Sequence, residues 1–251
     1  MSRTERPRSA PSKRDATTSP DVARVIDRIL AQRATTPPAR SVLVAVSGID
    51  GSGKGYLSDR IVAGLRAHGL HAVAITIDGW LNLPQRRFSE TDPGLNFYLH
   101  AIRFDEMFAT LVVPLRDRRS HTVDADYTDE TATAYRRHRH SYDNVDVIVL
   151  EGIFLLKPAL RAYYDLSVWI DCTFATALER AVARAQEGLP PAVTTHAYET
   201  IYFPAQRIHL DRDDPRRAAT LIVDNDPRLD GSAVSAGAGN APAIDGPLIE
   251  E

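Results

Sequence analysis

The chain has 251 residues, of which 43% are hydrophobic, and its formal net charge is −3 at pH 7. This length and composition fit one large α/β domain, or at most two small ones, and exclude an intrinsically disordered protein. The negative charge gives no sign of a nucleic-acid or anionic-membrane partner. Cys172 is a single cysteine, so no internal disulfide is expected. No apolar run approaches the roughly 18 residues that span a bilayer, and no secretory h-region is seen, which together predict a soluble cytoplasmic protein.

The first third of the chain predicts a helix, two strands and a glycine-rich loop. Residues 1–18 are rich in Ser, Thr, Pro and Arg and are expected to form a disordered tail. Residues 19–30 begin with helix-start signals and continue with apolar residues at helical spacing. Residues 42–46 are an unbroken apolar run, typical of a strand buried on both faces. The glycine-rich loop and an amphipathic helix follow, and residues 71–78 predict a second strand.

The rest of the chain predicts three more strands and several helices. Residues 96–113 are expected to form a helix that stops before Pro114, and residues 116–144 a loop with short elements. The further strands are predicted at residues 145–152, 166–172 and 219–226. A helix is expected over residues 173–188, and helical segments on either side of Pro204.

The alternation of buried strands with helices predicts an α/β fold in which helices cover both faces of a parallel sheet. We expect a single domain over residues 20–228. A flexible low-complexity tail is predicted at residues 229–251.

The stretch "GIDGSGK" at residues 48–54 satisfies the phosphate-loop pattern G-x-x-x-x-G-K and lies between a strand and a helix. Glycines let the backbone curl so that successive amides point at phosphate oxygens, and the helix start favours the same anion. Lys54 is one of only three lysines among 30 basic residues. A lysine at the required position of the phosphate-loop pattern is therefore unexpected by chance. The residues predicted to contact ATP are Gly48, Asp50, Gly51, Ser52, Gly53, Lys54, Gly55 and Tyr56.

Gly55 departs from the usual pattern, which places a Ser or Thr hydroxyl on Mg²⁺ after the lysine. Two carboxylates are candidates to compensate, because Asp78 and Glu151 each follow an apolar strand. Mg²⁺ needs only one or two carboxylates besides phosphates and water. Either residue also fits a turn-capping role, and Gly55 also fits a divergent member with reduced activity.

Several motifs resemble the uridine/cytidine kinase family, within the group that includes phosphoribulokinase and pantothenate kinase. They are "SGIDGSGKG", "IDGW", "VIVLEGIF", "LERAVARAQE" and "ATLIVDND", and they follow the family's order over about residues 40–226. The resemblance implies a three-layer α/β/α P-loop kinase with a five-stranded parallel sheet and a helical lid at about residues 180–205. It implies ATP and Mg²⁺ as cofactors, Asp78 as the catalytic residue that accepts the proton of the attacking hydroxyl, and Glu151 as a metal ligand.

The resemblance also places Arg180 and Arg184 on the lid helix that closes over the transferring phosphate. Arginines four residues apart on one helix face can contact the same phosphate oxygens. An exposed basic stripe on a surface helix is the alternative interpretation.

The acceptor side matches less well. Uridine kinases carry an Asn-Phe-Asp-His-Pro run whose aspartate binds the ribose hydroxyls, whereas this chain has Tyr98 at the position of that aspartate. Tyr127 is retained without the family's following histidine, and Trp80 replaces an aromatic pair. Trp80, Tyr98 and Tyr127 are candidate substrate contacts that could stack on a base, and each also fits ordinary packing.

Three hypotheses follow. The first is an ATP-dependent kinase that phosphorylates a small-molecule hydroxyl, foremost the 5′-hydroxyl of uridine or cytidine. The second keeps the chemistry but takes another alcohol, such as a sugar, a vitamin precursor or a natural product. The third is an ATP-binding sensor with little catalysis. Nucleic-acid binding and a zinc site at His138 and His140 are disfavoured, and a homo-oligomer is left open.

Overall fold

A computed structural model describes residues 19–184 and 188–229, and it contains one parallel sheet and one hairpin. The strands are β1 (Val42–Gly48), β2 (Ala72–Thr76), β3 (His121–Tyr127), β4 (Arg136–Tyr142), β5 (Val147–Gly152), β6 (Leu166–Asp171) and β7 (Leu221–Asp224). Five of them form the sheet in the order β2-β5-β1-β6-β7, with every pair parallel. The five predicted strands are therefore confirmed, each within a few residues of its expected ends.

The helices are α1 (Pro20–Thr35), α2 (Lys54–Ala67), α3 (Pro84–Arg87), α4 (Pro93–His100), α5 (Phe104–Met107), α6 (Val113–Arg118), α7 (Phe174–Arg184), α8 (Pro191–Ala197), α9 (Phe203–Asp213) and α10 (Pro215–Ala218). Short 3-10 turns span Ile77–Trp80 and Pro158–Tyr163. The π turns Phe108–Val112 and Tyr198–Tyr202 join α5 to α6 and α8 to α9.

The sheet lies between two apolar layers, and alternate residues of the central strand face opposite sides. In β1, Leu43 and Ala45 join one core cluster, whereas Val42, Val44 and Val46 join the other. Helices α1 and α2 cover the cluster that contains Val42, Val44 and Val46. Helices α4 to α7 and α9 cover the cluster that contains Leu43 and Ala45. The three-layer α/β/α P-loop fold is confirmed.

Residues 116–144, predicted as a loop with short elements, contain two strands of seven residues each. β3 and β4 form an antiparallel hairpin that pairs His121 with Tyr142 and Tyr127 with Arg136. The strand β4 is almost entirely exposed and carries three arginines, so it lacks the apolar alternation from which a strand is predicted.

The helix expected over residues 96–113 is also different, because α4 ends at His100 and a new helix begins at Phe104 and continues through Pro114 to Arg118. Proline has no N–H to offer the carbonyl one turn earlier, that of Thr110. The ring nitrogen Nε2 of His121 donates to this carbonyl at 2.8 Å instead. The π turn and this outside donor let the helix accept the proline.

Helical structure lies on either side of Pro204, as predicted, and it forms one continuous run from Pro191 to Asp213 with a π turn next to the proline. The predicted helix over residues 173–188 is present as α7, and residues 185–187 lie outside the described part. The predicted tails at residues 1–18 and 229–251 also lie outside it, apart from Leu229.

Candidate functional site

The glycine-rich loop follows β1 and leads directly into α2. Gly51 and Gly53 have φ angles of 78° and 89°, in the left-handed region that favours glycine. A Cβ at Gly51 would lie 2.4 Å from the carbonyl oxygen of Ala177, and one at Gly53 would lie 2.4 Å from Nδ2 of Asn225. The loop is therefore pressed against α7 and the segment after β7, and its shape depends on both glycines.

Three backbone amides of the loop already have hydrogen-bond acceptors within the protein. The Asp50 N–H donates to Oε1 of Gln206 at 3.1 Å, the Gly51 N–H to Oδ1 of Asp50 at 2.9 Å, and the Ser52 N–H to the Ile49 carbonyl at 3.1 Å. Helix geometry leaves the first amides of α2 without intrahelical acceptors, and no described side chain caps this helix. The amides suited to an anion therefore begin at the end of the loop, at the positive end of the α2 dipole.

Lys54 is the first residue of α2 and is only 7% exposed. Its ammonium donates to the Ile49 carbonyl at 3.0 Å, so the side chain folds back along the loop that it belongs to. This contact holds the charged group at the wall of the cleft, where an anion can bind it.

Two predicted carboxylates face the same space. Asp78 lies in the 3-10 turn after β2, where its N–H donates to the Thr76 hydroxyl at 3.2 Å. Glu151 lies near the end of β5, directly between Val46 of β1 and Thr76 of β2 in the sheet register. The carboxyl ends of parallel strands meet at one edge, which is why residues distant in sequence come together here.

Burial raises the pKa of Glu151, and the nearby carboxylates of Asp78 and Asp50 raise it further. The Lys54 ammonium and a hydrogen bond from Thr76 act in the opposite direction without cancelling the rise. A carboxyl group held at this energetic cost is typical of a site that binds a cation or performs chemistry. No group of three His, Cys, Asp or Glu residues within the described ranges is arranged as a metal site by itself.

A cleft of about 430 Å³ joins these groups. Ten predicted residues line it: Asp50, Gly51, Gly53, Lys54, Gly55, Tyr56, Asp78, Glu151, Arg180 and Arg184. Gly48 and Ser52 do not line it, because Gly48 is the last residue of β1, packed against Ile170, and Ser52 is buried beneath the loop.

Both predicted lid arginines reach the cleft from α7. Arg180 Nη1 donates to the carbonyl of Ser52 at 3.4 Å, which ties this helix to the glycine loop. Arg184 is exposed at the end of the described part of α7. Both side chains line the cleft together with residues of the glycine loop.

The three aromatic residues predicted to contact the acceptor do not line the cleft. Trp80 is 1% exposed and stacks on His140 with ring centroids 5.7 Å apart. Tyr127 is half-buried, packed on Gly79 and covered by the Arg136 guanidinium at 4.8 Å. Trp80 belongs to the 3-10 turn that carries Asp78, and Tyr127 belongs to β3. Their contacts pack this turn against the hairpin.

Tyr98 is 7% exposed and belongs to a buried polar cluster on the far side of α4. Its hydroxyl donates to Oδ2 of Asp213 at 2.7 Å, the Lys157 ammonium lies 3.9 Å from its ring centroid, and His209 bonds to the same aspartate oxygen at 2.6 Å. Burial and the Asp213 carboxylate raise the pKa of the Tyr98 hydroxyl. The tyrosine therefore stabilises the packing of α4 on α9.

Other residues also line the cleft, and no sequence motif singles them out. They are Leu81, Arg87, Phe97, Ile102, Glu130, Ile153, Tyr198, Tyr202 and Gln206. Phe97 and Tyr202 contact each other edge to face with centroids 5.0 Å apart. Phe97 is adjacent to the residue predicted to face the acceptor, so a one-residue shift along α4 accounts for part of the error.

Gly55 lies at the start of α2 with nothing within 4 Å of a hypothetical Cβ. Steric crowding therefore does not explain why the usual hydroxyl is missing here. Because the position also lines the cleft, a Ser side chain would reach the same space as Lys54 and Glu151.

Curated relatives match slightly more than half of the chain. A uridine kinase of Staphylococcus haemolyticus is 27% identical over 135 residues, covering 53% of this chain and 63% of that protein. A uridine kinase of Limosilactobacillus reuteri is 33% identical over 137 residues, covering 53% of this chain and 59% of that protein. The chain thus spans about three fifths of the length of these relatives. The predicted resemblance to the uridine/cytidine kinase family is confirmed.

Solved structures share the three-layer α/β/α fold over most of the chain. A possible uridine kinase from Bacillus stearothermophilus superposes with a TM-score of 0.63 and 17% identity, covering 81% of this chain and 97% of that one. D-glycerate 3-kinase from Cryptococcus neoformans superposes with a TM-score of 0.50 and 13% identity over 73% of this chain and 89% of that one. No protein-family model matches the chain, and no helix within the described residues is long and apolar enough to cross a membrane.

Proposed function

We propose that this protein transfers the γ-phosphoryl group of ATP to a hydroxyl group of a small molecule. The observation that carries the proposal is that Lys54, Asp78 and Glu151 face one cleft, beside the uncapped start of α2. Phosphoryl transfer requires positioning and charge neutralisation more than covalent catalysis, and this set supplies both.

The phosphates would bind at the start of α2, with the Lys54 ammonium on the β- and γ-phosphates. Arg180 and Arg184 would approach the transferring group from the other side of the cleft. Glu151 and Asp78 would hold Mg²⁺, which supplies positive charge to the phosphate oxygens when bound. The raised pKa of Glu151 fits this role, because a cation would relieve the repulsion among the three carboxylates.

Asp78 would orient the acceptor hydroxyl and accept its proton. It is exposed to the cleft on a turn that is fixed by its own bond to Thr76 and by the packing of Trp80 beneath it. A base held in this way needs little reorganisation when the acceptor binds.

For the acceptor we propose first the 5′-hydroxyl of uridine or cytidine. The similarity to uridine kinases supports this choice, as does the apolar and aromatic wall formed by Leu81, Phe97, Ile102, Ile153 and Tyr202. A flat heterocycle is a suitable occupant for such a wall.

The decisive experiment is an acceptor screen with the purified protein, ATP and Mg²⁺, with ADP release as the measurement. Uridine and cytidine are tested beside purine nucleosides, sugars, glycerate and pantothenate. We expect saturable, acceptor-dependent ADP release with a preference for a pyrimidine nucleoside. Release that does not depend on any acceptor would contradict the proposed transfer.

A different small alcohol is the second candidate, and the position of Tyr98 favours it. Because Tyr98 is bonded to Asp213 away from the cleft, α4 offers no carboxylate to a ribose. Preference for a sugar or a hydroxy acid in the same screen would establish this alternative.

An ATP-binding sensor is the third candidate, and Gly55 favours it because the usual hydroxyl ligand of Mg²⁺ is missing. Saturable ATP binding without ADP release across the whole screen, at ample Mg²⁺, would support this function.

A further inference from the structure

Gln206 on α9 reaches the glycine loop from across the cleft. Its side chain is 2% exposed, and Oε1 accepts the Asp50 N–H at 3.1 Å. A backbone N–H can only donate, so this bond fixes the oxygen of the carboxamide toward the loop and the NH₂ group away from it. Nε2 is buried, and no hydrogen-bond partner for it lies within the described residues.

Buried side-chain donors in native proteins are nearly always paired, so a lone one at a cleft wall calls for an explanation. Gln206 is one of the residues that line the cleft. A ligand that brings an oxygen to Nε2 would complete its hydrogen bonding, with a small adjustment of the side chains around it.

Asp50 lies beside this donor and supplies the opposite chemistry. Its Oδ2 accepts the Tyr198 hydroxyl at 2.6 Å, and its Oδ1 accepts the Gly51 N–H at 2.9 Å. A carboxylate oxygen can accept a second hydrogen bond, and Asp50 also lines the cleft. Burial and the Asp50 carboxylate raise the pKa of Tyr198, so this tyrosine stays a donor and holds the carboxylate in place.

We propose that Gln206 and Asp50 together recognise two neighbouring hydroxyl groups of the acceptor. One hydroxyl would accept a hydrogen bond from Gln206 Nε2, and the other would donate to the Asp50 carboxylate. The ligand class is a neutral vicinal diol, such as the ribose of a nucleoside or a free pentose. At these two atoms a neutral hydroxyl is preferred to an anionic oxygen, because the Asp50 carboxylate is itself negatively charged.

This inference rests on the proposed function, since it assigns the diol to the phosphoryl acceptor. It also has a purely structural competitor. Gln206 could serve only to anchor the loop through Oε1, in which case its removal would weaken every ligand alike. A recognition role predicts a loss that depends on the hydroxyl groups of the ligand.

The test measures binding by calorimetry to the full chain in the presence of Mg²⁺ and a non-hydrolysable ATP analogue. The probes are uridine against 2′,3′-dideoxyuridine, and methyl β-D-ribofuranoside against methyl 2-deoxy-β-D-ribofuranoside, whose fixed furanose ring carries no vicinal diol. Each pair is titrated into the wild type, into Gln206→Met, and into Gln85→Met, a matched change at an exposed glutamine outside the cleft lining.

We expect the wild type and Gln85→Met to bind the diol member of at least one pair about tenfold or more tightly than its deoxy partner. Gln206→Met should lose most of this discrimination by weakening only the diol. If Gln206→Met proves unstable, Gln206→Glu retains an oxygen for the Asp50 amide while it removes the donor, and the same loss is expected.

Equal binding of both members of each pair by the wild type, or equal weakening of both by Gln206→Met, would overturn the inference even if phosphorylation is measured. Diol discrimination that depends on Gln206 in a protein that releases no ADP would confirm diol recognition by Gln206, but it would end the kinase proposal and with it the assignment of the diol to a phosphoryl acceptor. No binding of any probe would overturn it as well.

Discussion

At the end of the cleft where we propose that phosphate binds, called the phosphate end, the ligand-facing groups come from one short stretch of backbone. At the proposed acceptor end they are side chains from several separate elements. The phosphate end is the loop after β1 and the first turn of α2. The acceptor end takes Phe97 from α4, Glu130 from the hairpin loop, Ile153 from the segment after β5 and Tyr202 from a π turn.

This difference has a physical consequence. Backbone amides keep their direction as long as the loop keeps its φ and ψ angles. The phosphate end should therefore tolerate few substitutions, and a substitution that changes these angles should abolish phosphate binding. The acceptor end depends on how four elements pack, so changes there should alter affinity by degrees. Substitutions at the two ends should therefore differ in the size of their effects.

Lys54→Ala and Asp78→Asn should each lower turnover by at least about 10²–10³-fold, because each removes a group that acts on the transferring phosphate or its acceptor. ADP release with the best acceptor from the screen measures the loss, and a thermal melt checks that the fold survives. Normal turnover in either variant would refute the role given to that residue.

Gly53→Ala and Gly55→Ala should have opposite effects on stability, although they lie two residues apart. At Gly53 the left-handed φ of 89° and the contact with Asn225 predict a cost of about 1–3 kcal/mol. At Gly55 the space is open, and the helical position predicts a gain of up to about 1 kcal/mol. Urea unfolding measures both, and equal changes in the two variants would contradict the fixed loop geometry.

The same contrast explains what the sequence could predict. Local sequence patterns predicted the five strands, the glycine loop and the strand-end carboxylates. Each of these features depends on a few adjacent residues, such as the apolar run of β1 before "GIDGSGK". The buried position of Tyr98 was not predictable, because its hydroxyl donates to Asp213, which lies 115 positions further along the chain. The continuation of a helix through Pro114 depends in the same way on His121, a side chain from another element.

Gln206 gave no sequence signal at all. It is one residue in a helix of mixed polarity, and its role becomes visible only when Asp50 is seen to donate to it. The proposed role of Gln206 thus depends on tertiary packing, and a motif search along the chain cannot find it.

Phe97→Leu and Tyr98→Phe test the one-residue shift on α4. Phe97→Leu removes part of the aromatic wall and should raise the KM for the acceptor about threefold to tenfold, with the KM for ATP little changed. Tyr98→Phe leaves Asp213 without one buried donor and should cost about 1–3 kcal/mol of stability, with the acceptor KM unchanged. Initial-rate kinetics and urea unfolding separate the two effects. A raised acceptor KM in Tyr98→Phe alone would return Tyr98 to the substrate site.

Glu151→Gln should stabilise the protein while it weakens catalysis, because burial and the carboxylates of Asp78 and Asp50 hold the pKa of Glu151 above its ordinary value. A carboxyl group with a raised pKa in the folded state binds its proton more tightly there than in the unfolded chain. The folded state therefore loses stability as the pH rises from the ordinary glutamate pKa through the raised one.

Glutamine has no charge to desolvate, so the gain in Tm of Glu151→Gln over the wild type should be small near the ordinary glutamate pKa of 4.5 and should grow to a plateau at higher pH. Thermal melts without nucleotide or Mg²⁺ measure this gain, and a melting temperature below that of the wild type at pH 8 would show that the charge of Glu151 stabilises the fold through Lys54 instead.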